Sequence, residues 1–383
     1  MYSFEYRNPV KVIFGTGTIS KIANEIPKTA KVLITYGGGS IMKNGVYDQV
    51  KQALHGYESY EFGGIEANPE FDTLMKAAAV VKEKNIDFLL AVGGGSVLDG
   101  TKFIAAAAKY EGDDAWDILS KGAPISASVP LAGVLTLPAT GSEMNMGAVV
   151  SRREFKQKLA FLHPLSYPQF SILDPNVMES LPKRQKANGV VDAYIHVLEQ
   201  YLTFPNEASI QDHWSEGVLK TLSCYGERYV LEDFNYDVAA NVMWAATSAL
   251  NGIIGLGVPH DWATHMIGHE ITAIHGLDHA QTLAIVMPGM MRVMFDVKEE
   301  KIRQFARNVY NISNEEFGLE LVIEKTEKFF QSLGVKTKLS DYGIEEKNIP
   351  AIIENLAKGS EIKLGEKGLV TAEKVEMILK SQL

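Results

Sequence analysis

The rhythm of hydrophobic positions changes about halfway along the chain. In the first half, short apolar runs alternate with stretches of helical spacing. Residues 10–14, 31–36, 86–92 and 131–137 read as strands, and 18–26, 46–54, 69–84 and 97–109 read as helices. Two of these strands stop at glycine runs, Gly37-Gly38-Gly39-Ser40 and Gly93-Gly94-Gly95-Ser96. Strand, glycine turn and helix in this alternation predict a parallel sheet with helices on both faces. From about Pro182 the strand signals fade. Segments 188–202, 207–225, 238–252, 261–273 and 288–295 all carry apolar residues at helix spacing, and amphipathic helices rich in Lys and Glu follow to the end. The expected fold is α/β plus all-α. A Rossmann-like parallel-sheet domain spans 1–180 and a helical domain spans 181–383.

Composition narrows the function classes. The formal net charge is -10, and Lys and Arg are scattered rather than gathered into a basic stripe. That argues against a nucleic-acid partner and against docking on an anionic membrane. The single cysteine, Cys224, forms no internal disulfide. No run of about 18 apolar residues predicts a transmembrane helix, and the first residues carry no apolar signal core. A cytoplasmic protein acting on a small molecule is the expectation.

The glycine turns bear on a cofactor. In an open parallel sheet, ligands sit beyond the carboxyl ends of the strands, where both turns fall. At Gly93-Gly94-Gly95-Ser96 the backbone can approach a pyrophosphate, and the next helix points its N-terminal N–H groups at the anion. Asp99 falls in that helix's first turn, suited to capping or to a sugar or amide group. Such glycines also serve ordinary tight turns. Neither turn fits GxGxxG, so the usual dinucleotide fingerprint is absent. An NAD site usually places a carboxylate after the second strand, on the ribose 2′-OH. Here Tyr36 is followed by Gly37, Gly38, Gly39 and Ser40, with Lys43 close behind. Nothing there repels a 2′-phosphate, so NADP(H) is expected over NAD(H). A third loop, residues 136–145, follows an apolar strand with small and hydroxylated residues suited to cofactor contact. Lys158 is a candidate donor to ribose or phosphate.

The strongest chemical signal is histidine placement. Five of the nine histidines fall between residues 260 and 279: His260, His265, His269, His275 and His279. Asp192 and His196 are an i, i+4 pair, as are His265 and His269, so each pair shares a helix face. A lone buried histidine is more often a hydrogen-bonded core residue. But Asp192 and His196 lie in an apolar run with Val190, Val191 and Val197. A buried carboxylate there is costly without a partner. One carboxylate with several imidazoles is a divalent transition-metal set. Spacing alone does not say which of the five clustered histidines are ligands.

These motifs resemble the iron-containing (group III) alcohol dehydrogenases, most closely their NADPH-dependent aldehyde reductase and butanol dehydrogenase branch. The resemblance runs essentially the whole length. It rests on Asn8-Pro-Val-Lys-Val-Ile-Phe-Gly, Gly93-Gly-Gly-Ser-Val-Leu-Asp99, Pro138-Ala-Thr-Gly-Ser-Glu-Met-Asn145 and Asn188-Gly-Val-Val-Asp-Ala. Its most specific parts are Ala263-Thr-His-Met-Ile-Gly-His269 and His275-Gly-Leu-Asp-His279. The resemblance implies a dehydroquinate synthase-like fold with the cofactor cleft between the two domains. It implies Asp192, His196, His265 and His279 as ligands of one divalent metal, Fe2+ or alternatively Zn2+, with the catalytic His269 beside them. It implies that Gly94, Gly95 and Ser96 face the pyrophosphate and that Asp99 faces the nicotinamide end. Thr136, Leu137, Thr140, Asn145 and Lys158 would line the remaining cofactor path, and Gly37, Gly38 and Ser40 would lie by the adenosine ribose. A homodimer is implied as well.

The expected activity is hydride transfer between NADP(H) and a small alcohol or aldehyde. Asn145, Met146, Val149, Leu256 and Trp262, expected near the substrate, are apolar or small and favour unbranched aliphatic compounds. Two other classes share parts of this pattern. A dehydroquinate-synthase-like lyase would recycle its cofactor within each turnover. A non-enzymatic metal- or nucleotide-binding protein would leave the glycine loops and the ligand set without a joint explanation.

Overall fold

The computed structural model describes every residue except Lys156. The chain forms two units, Arg7–Leu181 and a second made of Pro182–Leu383 with Met1–Tyr6.

The first unit is built on strands β1 (Lys11–Phe14), β2 (Lys31–Tyr36), β3 (Glu58–Phe62), β4 (Phe88–Gly94), β5 (Leu131–Leu137) and β8 (Phe170–Leu173). They form one sheet in the order β1-β8-β5-β4-β2-β3, parallel throughout. Helices α1 (Ile22–Glu25), α2 (Val46–Ala53), α3 (Phe71–Lys84), α4 (Gly95–Ala107) and α5 (Asp117–Ser120) connect or flank the strands. Strands β6 (Gly147–Arg152) and β7 (Gln157–Leu162) make a separate antiparallel pair. The central strands β4 and β5 are buried along almost their whole length, which is why they read as continuous apolar runs. Helix α4 packs against β4, β5 and β6, and its run of small residues lets it approach closely. Thr101 of α4 and Thr35 of β2 share a buried hydroxyl–hydroxyl hydrogen bond of 2.6 Å.

The strand order places the topological switch between β2 and β4. The chain steps from β2 outward to β3, then crosses to β4 on the other side of β2. The carboxyl ends of β2 and β4 therefore flank the crevice where open α/β sheets bind ligands. Gly37–Ser40 and Gly94–Ser96 sit at those two ends.

The second unit contains α6 (Lys183–Tyr201), α7 (Ser209–Leu231), α8 (Tyr236–Ala249), α9 (Ala263–His275), α10 (His279–Val293), α11 (Phe295–Tyr310), α12 (Leu319–Ser332), α13 (Ile349–Ala357) and α14 (Ala372–Lys380). Helix α6 is its axis. Every residue from Gly189 to Tyr201 is buried, and the helix packs against α7, α8 and α10. A further core joins Ile267, Ile271, Ile285 and Val286 to Ile349, Ile352, Val375 and Ile378. Among the described residues no helix is long and apolar enough to cross a membrane.

The structure departs from the sequence reading at several elements. Strands β3, β6, β7 and β8 were not foreseen. The expected helix over 288–295 is instead α10, which starts at His279 and runs through Pro288. Its start is fixed by a capping box. The Asp278 carboxylate accepts from the N3 backbone, and the Gln281 side chain accepts from the Asp278 N–H. The helix expected at 261–273 begins at Ala263, because the Asp261 carboxylate accepts from the Ala263 N–H at 2.9 Å and Trp262 adopts a left-handed φ of 61°. Met1–Tyr6 belong to the helical unit rather than the sheet domain. The Tyr2 N–H donates to the Gly257 carbonyl at 2.8 Å.

Candidate active site

Within the helical unit, α6 presents Asp192, His196 and Glu199 at i, i+4 and i+7, one stripe of the helix. Helix α9 supplies His265 and His269, and His279 opens α10. Asp192 Oδ1 is the centre. It lies 3.7 Å from His196 Nδ1, 3.9 Å from His265 Nε2 and 3.8 Å from His279 Nε2. Donor atoms of Asp192, His265 and His279 lie within 4.8 Å of one another. His196 is outside that trio but approaches the same carboxylate oxygen. Its ring stacks on that of His265 at 4.6 Å between centroids. His269 lies 5.0 Å from His279 and 6.2 Å from His265 between ring centroids.

The chemistry of this set fits a divalent cation. Asp192 Oδ1 is buried and accepts no hydrogen bond among the described residues. Leaving a buried acceptor unmade costs about 1–3 kcal/mol, and more for a charged group. Three imidazole nitrogens at nearly equal distance from that oxygen leave a space that a cation would fill. One carboxylate and three imidazoles suit iron or zinc.

The remaining clustered histidines, His260 and His275, are not in the trio of converging donor atoms. His260 Nε2 donates to the Gly255 carbonyl at 2.9 Å, and Trp262 Nε1 donates to His260 Nδ1 at 3.3 Å. His275 closes the last turn of α9, and burial lowers its pKa.

Two groups absent from the sequence reading support the cluster. Glu199 Oε1 accepts from the N–H groups of Thr264 (2.7 Å) and His265 (3.4 Å), and Oε2 accepts from His265 Nδ1. Burial, and then the neighbouring Asp261 carboxylate, push the Glu199 carboxyl up to about 8. Its signal in the sequence was its place one turn beyond His196 in an otherwise apolar helix. Asp278 accepts from Arg184 Nε and Nη2, both at 2.6 Å, and from Asn188 Nδ2 at 2.7 Å. It thereby ties the start of α6 to the turn that carries His279.

In the sheet unit the candidate cofactor residues Gly37, Gly38, Ser40, Gly94, Gly95 and Ser96 lie at the two strand ends that flank the switch point. Gly94 and Gly95 join β4 to α4 under the end of β5. A Cβ on Gly95 would lie 2.3 Å from Thr140 Oγ1, and one on Gly94 would lie 3.1 Å from Leu137 Cβ. Packing against Thr140 thus calls for glycine at 95 independently of any ligand, and Gly94 sits tightly against Leu137. Gly37 approaches Val97 and the Ile65 carbonyl, whereas Gly38 faces open space. Gly39 takes a left-handed φ of 88° and leads into the turn holding Ser40. The Ser96 hydroxyl donates to the Ala67 carbonyl. Thr136 is buried near the end of β5. Lys158, on β7, donates to Asn68 Oδ1 at 3.0 Å.

Asp99 is the fifth residue of α4 and does not cap it, since the helix starts two residues earlier than its periodicity suggested. Its carboxylate accepts from Ser142 Oγ (2.6 Å) and the Val149 N–H (3.0 Å). Lys102, unnoticed in the sequence, is buried one turn on. It donates to Ser142 Oγ, Asn145 Oδ1 and the Gly147 carbonyl at 2.7–3.0 Å. Burial brings its amine down to about 8 and raises the Asp99 carboxyl. Asp99 and Lys102 together hold the loop that presents Thr140 and Asn145.

Fold and site define a class, and sequence comparison agrees. A family model described as iron-containing alcohol dehydrogenase matches residues 9–175, and one described as Fe-containing alcohol dehydrogenase family, C-terminal, matches residues 186–383. The NADPH-dependent aldehyde reductase YqhD of Escherichia coli is 52% identical over 377 residues, 97% of each chain. The crystal structure of E. coli YqhD superposes with a TM-score of 0.97, covering 100% of this chain and 99% of that one. The NADH-dependent butanol dehydrogenase A of Thermotoga maritima is 37% identical, with a TM-score of 0.94 over 100% and 99% of the two chains. The chain belongs to the iron-containing alcohol dehydrogenase family, a family of oxidoreductases.

Proposed function

We propose that this chain interconverts small unbranched aliphatic aldehydes and their alcohols with NADP(H), using one divalent cation held by Asp192, His196, His265 and His279. The observation that carries this reading is Asp192 Oδ1, buried without a hydrogen-bond donor among the described residues and facing three imidazole nitrogens at 3.7–3.9 Å. When bound, the cation, Fe2+ or Zn2+, polarises a carbonyl oxygen as a Lewis acid, and NADPH supplies the hydride.

The chain's own residues supply the rest. Asp192 brings the one negative charge of the ligand set and keeps a cation there in a buried setting. His269, beside His279, delivers a proton to the substrate oxygen as the alkoxide forms. Histidine suits the task because it exchanges a proton near neutral pH. Gly94 and Gly95 open the N-terminus of α4, whose N–H groups favour a pyrophosphate. Asp99 and Asn145 orient the nicotinamide end, and Lys158 serves the ribose and phosphate. Gly37, Gly38 and Ser40 take the adenosine ribose. The absence of a carboxylate after Tyr36 supports a 2′-phosphate there, as does the NADPH dependence named for the 52% identical relative. A cytoplasmic homodimer belongs to the same reading.

The test uses the metal-reconstituted protein with butanal. NADPH is expected to give the higher kcat/KM, and a clear preference for NADH sinks the cofactor assignment. Asp192→Ala is expected to lose both bound metal and activity. Stoichiometric zinc retained by that variant would remove Asp192 from the ligand set.

A further inference from the structure

We infer that Glu199 is a positioning residue for the metal site, acting through the imidazole of His265. The inference rests on the proposed role of Asp192 and His265 as ligands.

The geometry is specific. Glu199 is one helical turn beyond His196 on α6, and its side chain is 1% exposed. Oε1 is occupied by the N–H groups of Thr264 and His265, so the carboxylate is clamped to the first turn of α9. Oε2 is left for His265 Nδ1, which meets it directly. In its ionised form Glu199 only accepts, and Nδ1 then carries the hydrogen; the Thr264 and His265 N–H groups on Oε1 favour that form. The hydrogen on Nδ1 leaves Nε2 as the nitrogen with a free lone pair. Nε2 is also the atom that faces Asp192 Oδ1 at 3.9 Å. One carboxylate therefore sets both the tautomer and the ring direction of a ligand from the neighbouring helix.

A second tier holds Glu199 itself. Its carbonyl accepts from the Asp261 N–H at 2.9 Å. Asp261 caps α9 and pairs with the buried Lys298. Lys298 also reaches Glu366 at 3.5 Å, and the Phe204 N–H donates to that same carboxylate at 3.0 Å. The ligand-bearing turn is thus fixed to parts of the chain far from it in sequence.

Glu199→Gln separates positioning from mere capping. The amide oxygen still accepts from Thr264 and His265, so the helix cap survives. The amide nitrogen donates to Nδ1 and shifts the ring hydrogen to Nε2, which then cannot bind metal. Zinc affinity, read by competition with a chromophoric chelator, is expected to fall 10- to 100-fold. The thermal midpoint of the metal-free protein is expected to stay close to wild type. Unchanged zinc affinity in the folded variant overturns the inference. Wild-type protein that binds no zinc overturns the ligand set and this inference with it. Should the variant not fold, zinc-loaded wild type labelled with 15N-histidine decides. The His265 signal, assigned by its loss in His265→Gln, must show a protonated Nδ1 and a metal-bound Nε2; the opposite tautomer refutes the role.

Discussion

Asp192 and His196 lie among Val190, Val191 and Val197, all fully buried. A carboxylate in such surroundings is tolerated only with a compensating charge or donors. Three imidazole nitrogens lie 3.7–3.9 Å from its Oδ1, beyond hydrogen-bond distance. His269 is different in kind. Its ring neighbours those of His265 and His279, yet it is not in the trio whose donor atoms converge. On the proposed reading, His269→Ala lowers kcat for butanal reduction by roughly 10²–10⁴ and leaves zinc stoichiometrically bound. Metal analysis of the purified variant checks this, and joint loss of zinc and turnover would make His269 a ligand. At this scale the sequence was legible where chemistry and spacing coincided, as at Asp192, His196 and the histidines from 265 to 279. Glu199 showed only as a place one turn beyond His196, and Lys102 not at all. A single acid or base in an apolar helix reads as a surface residue until its partner is known. Those partners, His265 for one and Ser142, Asn145 and Gly147 for the other, lie 40 or more residues away in the chain.

Most elements foreseen from the sequence have one-sided or complete burial, whereas β8, fully buried but only four residues long, is too short to show a pattern. Strands β4 and β5 are buried almost throughout, and their continuous apolar runs mark them. Strand β3, Glu-Ser-Tyr-Glu-Phe at the sheet edge, has no buried residue, and so no hydrophobic pattern reveals it. The pair β6–β7 gains its pairing from its own backbone ladder, which composition does not report. Pro288 misled in another way. A proline inside a helix removes one backbone hydrogen bond, but α10 carries a strong start at Asp278 and a buried apolar face on either side of the proline. The glycine turn before α4 gives an element-scale prediction. Gly95→Ala places a methyl 2.3 Å from Thr140 Oγ1 and 2.7 Å from Cγ2. Thr140 is short and β-branched, so the loop itself must move. A destabilisation of about 1–3 kcal/mol is expected, together with weaker NADPH binding measured by fluorescence titration. Thr140→Gly in the same chain removes the clash. The two changes should therefore couple in a double-mutant cycle. Additive effects would mean that the turn is not set by this contact.

The whole chain distributes its tasks by unit. The α/β plus all-α architecture follows from the change of hydrophobic rhythm, and each unit encloses its own core. All candidate metal ligands, with Glu199 and Asp278 behind them, come from α6, α9, α10 and the turn before α10. The candidate cofactor residues come from the sheet unit. Binding to the folded state alone stabilises it by RT ln(1 + [L]/Kd), about 2.7 kcal/mol at a free metal concentration a hundred times Kd. That energy enters through three helices that converge on Asp192, so its removal should be felt there first. Chelation of the metal is expected to raise amide hydrogen exchange in α6, in the first turn of α9 and at the start of α10. Helix α4 and strands β4 and β5, which contribute no ligand and are held by the Lys102 and Asp99 network, should keep their protection. Hydrogen-exchange mass spectrometry on the metal-loaded and chelated protein measures both regions in one experiment. Uniform loss of protection across both units would show that the metal stabilises the chain as a single cooperative body. No change in either would show that the three helices hold their places without it.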